Sequence, residues 1–251
     1  MLRGYRYKLP ETRAWVAAMT AKPPDWLERA LDDYMRTLKV SGAWDRIDIG
    51  YVHALHAQQA ARLNYKNPGS FTLTEGGSPT WTQYQGYTGT GVAGDYLDTG
   101  YDPSAASIGM GLDDAHGAVF GMTTSSDGDY DLSSGTGIAF RVRTRDTTLS
   151  SIRINTGTAT SFTTGTTMPG FIAGVRSDAS NQLGYANGVL DVTGAVASTT
   201  LSPNIYLLGN AANPANRQIA LAHVGRALSA AQVKACSDAA WALLRQVGAV
   251  Q

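Results

Sequence analysis

The chain reads as a mainly β protein: a sandwich of short antiparallel strands, preceded by a helical region and closed by one C-terminal helix. Three observations predict this. From Ser70 onward, short apolar-alternating runs recur with Gly and Asn between them, and no helical periodicity returns until Ser229. Asn187-Gly188 sits between two such runs, and a two-residue hairpin turn needs positive φ at both positions, which Asn and Gly tolerate best. Charged residues make up only 16% of the 251, with 28 glycines and dense Ser and Thr between 120 and 202, a composition suited to strands and turns.

Residues 1–66 read as helical. Glu11 to Ala21 places Trp15, Ala18 and Met19 on one face, and Pro23-Pro24 ends that segment because proline cannot donate and restrains its predecessor. Asp25 with Glu28 has capping-box spacing, and Leu27, Leu31, Tyr34 and Leu38 follow at helical intervals. A third helix is predicted from about Trp44 to Arg62, with Trp44, Ile47, Tyr51 and Leu55 along its apolar stripe, until Asn67-Pro68-Gly69 stops it. The rest, 67–251, reads as sandwich plus closing helix. Strands are predicted at 71–74, 96–99, 119–122, 138–143, 152–155, 171–175, 182–193, 205–208 and 218–224. The phase is plainest at Ile138, Phe140 and Val142, with Arg141 and Arg143 on the opposite side. A Ser229–Gln232 capping box opens a helix over 229–247 with Val233, Cys236, Ala240, Leu243 and Val247 buried.

A net charge of zero exerts no pull toward nucleic acid, and no run is long enough to span a membrane. Cys236 is the only cysteine, so no intrachain disulfide can form, and the N-terminus lacks a signal-peptide core. Both point to synthesis in a reducing compartment.

The Gln182–Asp191 hairpin, the strand Ala222-His-Val-Gly225 and the following Arg-Ala-Leu-Ser229 resemble the end of concanavalin-like jelly rolls of the LamG type. Two further stretches, Ala60-Ala-Arg-Leu-Asn-Tyr-Lys-Asn-Pro68 and Ser78-Pro-Thr-Trp-Thr-Gln-Tyr-Gln-Gly-Tyr-Thr-Gly89 leading to Tyr96-Leu-Asp-Thr-Gly-Tyr-Asp-Pro103, are similar to phage, prophage and gene-transfer-agent virion surface proteins. The resemblance covers most of 44–235, and residues 110–136 depart from it. It implies a head spike, fibre or tail appendage, made in the bacterial cytoplasm and released by lysis. Helices would attach it to other virion proteins, the sandwich would face host surface polysaccharide, and the assembly would be homo-oligomeric. A polysaccharide depolymerase and an architectural component with no glycan ligand are the alternatives.

No catalytic residue is assigned. Concanavalin-like glucanases use two opposed carboxylates, and this chain has only Glu11, Glu28 and Glu75 as glutamates. The aspartates beyond them, Asp98, Asp102, Asp146, Asp178 and Asp191, fall at strand ends and turns, where backbone geometry favours Asp. His53 and His56 stand at i, i+3 on the predicted third helix without a third ligand; His116 and His223 stand alone. Asp127, Asp129 and Asp131 alternate like the start of a calcium loop, but positions six and twelve of that loop would be Leu132 and Ile138 instead of Gly and Glu. Calcium at these three is the one cofactor considered, against a solvated turn. For glycan contact the candidates are Trp81, Tyr84, Tyr87 and Tyr130, whose rings match sugar CH patches, and Arg141 and Arg143, whose planar forks suit carboxylates. Arg145 and Arg153 extend that basic face, and pairing with local aspartates is its ordinary alternative. Trp15, Trp26, Trp44 and Trp241 are read as packing residues on amphipathic helices.

Overall fold

The computed structural model describes residues 8–105, 109–125, 130–135, 139–145, 149–163, 167–201 and 203–251. Helix α1 (Pro10–Ala18) opens on a proline whose fixed φ suits the first helical turn. Helix α2 (Asp25–Val40) buries Leu27, Ala30, Leu31, Tyr34, Met35 and Leu38 along one stripe. The predicted capping box at Asp25 does not form: Pro24 is the cap, and Glu28 pairs instead with Lys8. Asp32 joins the two helices by accepting from Leu9 N and Thr12 Oγ1 while pairing with Arg36.

The third helix gives way to other structure. A 3-10 turn at Trp44–Arg46 leads into a strand, Ile47–Val52, and only Gln58–Ala61 is helical (α3). Trp44, Ile47, Tyr51 and Leu55 fit a helical stripe, but Ile47, Ile49 and Tyr51 fit period two equally well. A free strand edge settles the ambiguity: Ile49 to Val52 pair with Val224 to Leu221. Residues 1–66 are therefore not helical throughout.

Two antiparallel sheets stack. The eight-stranded sheet runs Val189–Ala195, Asn181–Ala186, Gly170–Arg176, Ala115–Gly121, Gln218–Gly225, Gly86–Thr88, Thr80–Thr82, with Ile47–Val52 also paired to Gln218–Gly225. The seven-stranded sheet runs Thr160–Ser161, Ser151–Arg153, Arg141–Arg143, Leu132–Ser134, Ile205–Leu207, Tyr96–Asp98, Thr74–Gly76. Ile49, Tyr51, Leu132, Ile205, Leu207, Ala222 and Val224 meet between the sheets. This is a β-sandwich, as the strand spacing predicts, of the jelly-roll type that the resemblance implies. Asn187 and Gly188 adopt φ +50° and +80° in the tight hairpin turn.

The eight-stranded sheet is covered on its second face as well. Helix α4 (Ala230–Gln246), with the Ser229–Gln232 capping box formed, lies there against α2, and Trp241 meets Phe120 edge-on at 4.9 Å. Gly50 seats the N-terminal part of this layer, since a Cβ there would lie 2.2 Å from the Tyr65 ring. That ring in turn contacts Trp15, Tyr34 and Trp44. Gly50→Val is expected to cost about 2 kcal/mol by overpacking, with the loss read as a lower midpoint in urea.

Candidate functional site

With helices on one sheet, the seven-stranded sheet is the one whose outer face carries polar and aromatic side chains. Alternation decides which they are. Leu132, Val142, Ile152, Ile205, Leu207 and Leu97 are fully buried on the core side. Ser133, Arg141, Arg143, Ser151, Arg153, Tyr206, Asp98 and Tyr96 therefore point outward. Register aligns them across the strands: Arg153 lies opposite Arg141, Arg141 opposite Ser133, Ser133 opposite Tyr206, Tyr206 opposite Asp98, and Asp98 opposite Thr74. One transverse row thus passes from cationic through hydroxyl and phenol to anionic. Directly opposed side chains sit about 5 Å apart at Cβ, close enough to act on one ligand.

Arg141 is the centre of the basic end. Its guanidinium carbon lies 4.0 Å from the centroid of the Tyr130 ring, a cation–π contact. Its exposure is only 6%, and its Nε is buried without a hydrogen-bond partner. Burial, then the neighbouring charges of Arg153 and Arg143, push its pKa down to about 9. Beside it, the hydroxyls of Ser133 and Ser151 are also buried without a partner. At the other end, Tyr96 and Tyr206 meet edge to face at 5.4 Å, and burial with nearby Asp98 raises the Tyr206 phenol.

The sequence candidates divide. Tyr130, Arg141 and Arg143 come together here, whereas Arg145 lies past the end of its strand and its carbonyl accepts from Arg217 Nε. Tyr87 is corrected to a core residue: it is fully buried, its hydroxyl bonds Glu75, and its ring packs edge-on to His53. Trp81 is half-buried and donates Nε1–H to the His53 carbonyl, so it packs at the edge of the eight-stranded sheet. Tyr84 adopts φ +59° in a turn and lies 5.9 Å from Trp26. Trp26 is 42% exposed, unlike buried Trp15 and Trp44, which pack as expected. Sequence reasoning missed Tyr96, Tyr206, Ser133 and Ser151, although Ile205 and Leu207 in core phase mark Tyr206 as outward.

The calcium reading loses a ligand. Asp131 is buried, faces Arg217 at 3.7 Å, and accepts from Thr144 N and Oγ1 at 2.6 and 2.9 Å. Asp127 and Asp129, like Asp146 and Ile138, lie outside the described residues. Among the described residues no three His, Cys, Asp or Glu side chains cluster as metal ligands would. His53 and His56 do not converge: the first bonds the Ala61 carbonyl, the second the Ala21 carbonyl. His116 and His223 are not alone. They bond each other at 2.8 Å beneath the helical layer. No helix among the described residues is long and apolar enough to cross a membrane.

No protein-family model matches the chain, and no curated protein matches it in sequence. Similarity to solved structures is one of fold. A botulinum neurotoxin type C structure, described with cell entry dependent on two ganglioside molecules, shares 11% identity at a TM-score of 0.57, covering 79% of this chain and 52% of its own. The botulinum neurotoxin serotype D ligand-binding domain in complex with N-acetylneuraminic acid shares 10% at 0.55, covering 79% and 52%. Trypanosoma rangeli sialidase in complex with sialic acid shares 9% at 0.52, covering 83% and 38%. The chain spans about half the length of the toxin structures and about two-fifths of the sialidase.

Proposed function

We propose that this is a non-catalytic virion surface protein, a head spike, fibre or tail appendage, that attaches to host cell-surface polysaccharide through the outer face of its seven-stranded sheet. The observation that carries the reading is the row Arg153–Arg141–Ser133–Tyr206–Asp98, whose half-buried members Arg153, Tyr206 and Asp98 offer charge and an aromatic ring on one side of a sandwich whose other sheet is roofed by helices. Such a surface suits shallow polar and CH–π contact with a sugar chain. The motifs at 60–68 and 78–103 support virion origin, and the glycans named with the structures of similar fold are consistent with a carbohydrate partner. Helices α1 and α2 are proposed to meet other virion proteins. Single shallow sites bind weakly, so several copies on one particle would supply avidity.

Purified protein is expected to adsorb to capsulated cells and not to acapsular ones, and to release no reducing ends from capsule. Equal adsorption to both would leave an architectural role, and released ends would transfer the protein to the depolymerase class.

A further inference from the structure

Tyr96, Asp98 and Tyr206 form a corner on the outer face of the seven-stranded sheet that solvent can reach, since all three are only half-buried. Strands Tyr96–Asp98 and Ile205–Leu207 are immediate neighbours, and Asp98 stands directly opposite Tyr206. Tyr96 precedes Asp98 by two residues on the same face, and its ring meets the Tyr206 ring at 5.4 Å and 89°. No strand separates any two of the three side chains. Gly76 lies opposite Tyr96, and a Cβ there would run into the Tyr96 ring. A glycine inside a strand weakens it and marks a close approach; this one lets the Tyr96 ring settle against the sheet. Tyr206, perpendicular to that ring and bonded at its phenol by the Asn204 side chain, makes the wall above the floor. Asp98 lies at the foot of the wall. Its Oδ1 accepts from Gly100 N at 2.8 Å, and its Oδ2 makes no hydrogen bond among the described residues. No cation among the described residues is within salt-bridge distance of it.

We propose that this corner seats a neutral hexopyranose unit of the bound polysaccharide, with two adjacent sugar hydroxyls donating to Asp98 and a CH face of the ring laid on Tyr96. This rests on the glycan-attachment reading and narrows it to a neutral sugar at this subsite. Sugar hydroxyls can donate, a carboxylate only accepts, and a charged acceptor strengthens each bond. Aromatic faces carry the partial negative charge that polarised CH groups match. A uronate or sialate would bring a second carboxylate against Asp98, where no cation offsets the repulsion. An open corner on a sheet face, in place of a closed cavity, suits one unit of a polymer that runs on past it in both directions.

The test uses the full-length protein and its adsorption to capsulated cells. Asp98→Asn can keep the bond to Gly100 N while losing the charge, so its thermal midpoint is expected to match wild type and its adsorption affinity to fall about tenfold, the difference between a charged and a neutral acceptor. Tyr96→Leu keeps apolar cover over Gly76 without a flat ring and is expected to lose affinity by a similar factor. At least one of the methyl pyranosides of glucose, galactose and mannose is expected to compete with adsorption, and methyl glucuronide is not. Full affinity in both variants would overturn the inference, as would competition by the glucuronide alone or by none of the four sugars. A lowered midpoint in Asp98→Asn would make Asp98 a structural residue and overturn it too. Protein that adsorbs to capsulated cells yet fails these tests loses only the neutral-sugar subsite; protein that adsorbs to no capsulated cell loses the attachment reading with it.

Discussion

Asp131→Ala is expected to destabilise the protein by about 3–5 kcal/mol, the range seen when one partner of a buried ion pair is removed. Asp131 and Arg217 are both fully buried, 3.7 Å apart, and each stands just before a strand of a different sheet, Leu132–Ser134 and Gln218–Gly225. The pair therefore fixes the two sheets to one another at that end. Without the carboxylate, Arg217 loses its buried counter-charge at 3.7 Å, and Thr144 loses the acceptor of both its backbone N–H and its hydroxyl. Urea denaturation should show the loss. Replacing both residues, as Asp131→Leu with Arg217→Met, should recover a good part of it, because two apolar groups leave no charge stranded. A single variant within about 0.5 kcal/mol of wild type, the range of ordinary surface substitutions, would mean that the pair anchors nothing.

The same residue links stability to the proposed attachment face. Asp131 directly follows Tyr130, whose ring covers Arg141. An ion pair that fixes the backbone at 131 thus fixes the position of that ring, and through it the orientation of the guanidinium fork. Binding sites gain precision when their own side chains are held by such supporting contacts. Asp131→Ala should accordingly weaken polysaccharide adsorption even at temperatures where the variant is fully folded.

Signals confined to a few residues were legible in the sequence, and those that depend on distant partners were not. Asn187-Gly188 specifies its turn through local φ alone, and Ser229 with Gln232 caps α4 through bonds three residues apart. The alternation of Phe140 and Val142 with Arg141 and Arg143 is equally local, and within the described strand Arg141–Arg143 it sets the two arginines on the side away from the buried Val142, while Ile138 lies outside the described residues. The segment 44–62 reads as helix from sequence because Trp44, Ile47, Tyr51 and Leu55 satisfy one period, while Ile47, Ile49 and Tyr51 satisfy another. Only the waiting edge of Gln218–Gly225 chooses between them. Tyr87 and Tyr206 show the same limit at the candidate site. Both are tyrosines in short strands, yet Tyr87 faces His53 in the core and Tyr206 faces outward beside Tyr96. Asp131 looked like a calcium ligand because its partner, Arg217, is far away in the chain and adjacent only once the sheets stack.

Stability is expected to fall steeply as the pH drops from about 6.5 to 4, before most carboxylates titrate, because three histidines are buried neutral. Burial holds His53 down at about 4, partly offset by its bond to the Ala61 carbonyl. His116 is likewise held at about 4, by burial above all, and His223 is held well below its usual range, since burial and the His116 beside it both oppose its charge. Geometry explains the pair's preference. His116 Nδ1 meets the Arg226 carbonyl at 2.6 Å, so it must carry the proton, leaving Nε2 to accept from His223 Nδ1 at 2.8 Å. Every proton in that chain has a place, and an extra one on His223 Nε2 would find no acceptor. A histidine with a depressed folded pKa contributes stability that is complete above the unfolded value of about 6.5 and is lost as the pH falls toward the folded value. For His53 alone the loss approaches about 3 kcal/mol at pH 4, and the pair adds to it in the same direction. Glu11 and Asp32, whose pKa values are lowered, act in a separate and more acidic window, through their bonds to Lys39 and to Leu9 N, Thr12 and Arg36. Urea midpoints measured at intervals from pH 7.5 to 4 should trace the decline, and His53→Gln should flatten it by up to about 1.4 kcal/mol per pH unit, the slope of a single proton. Stability that stays level down to pH 4.5 would show that these rings reach protons without unfolding.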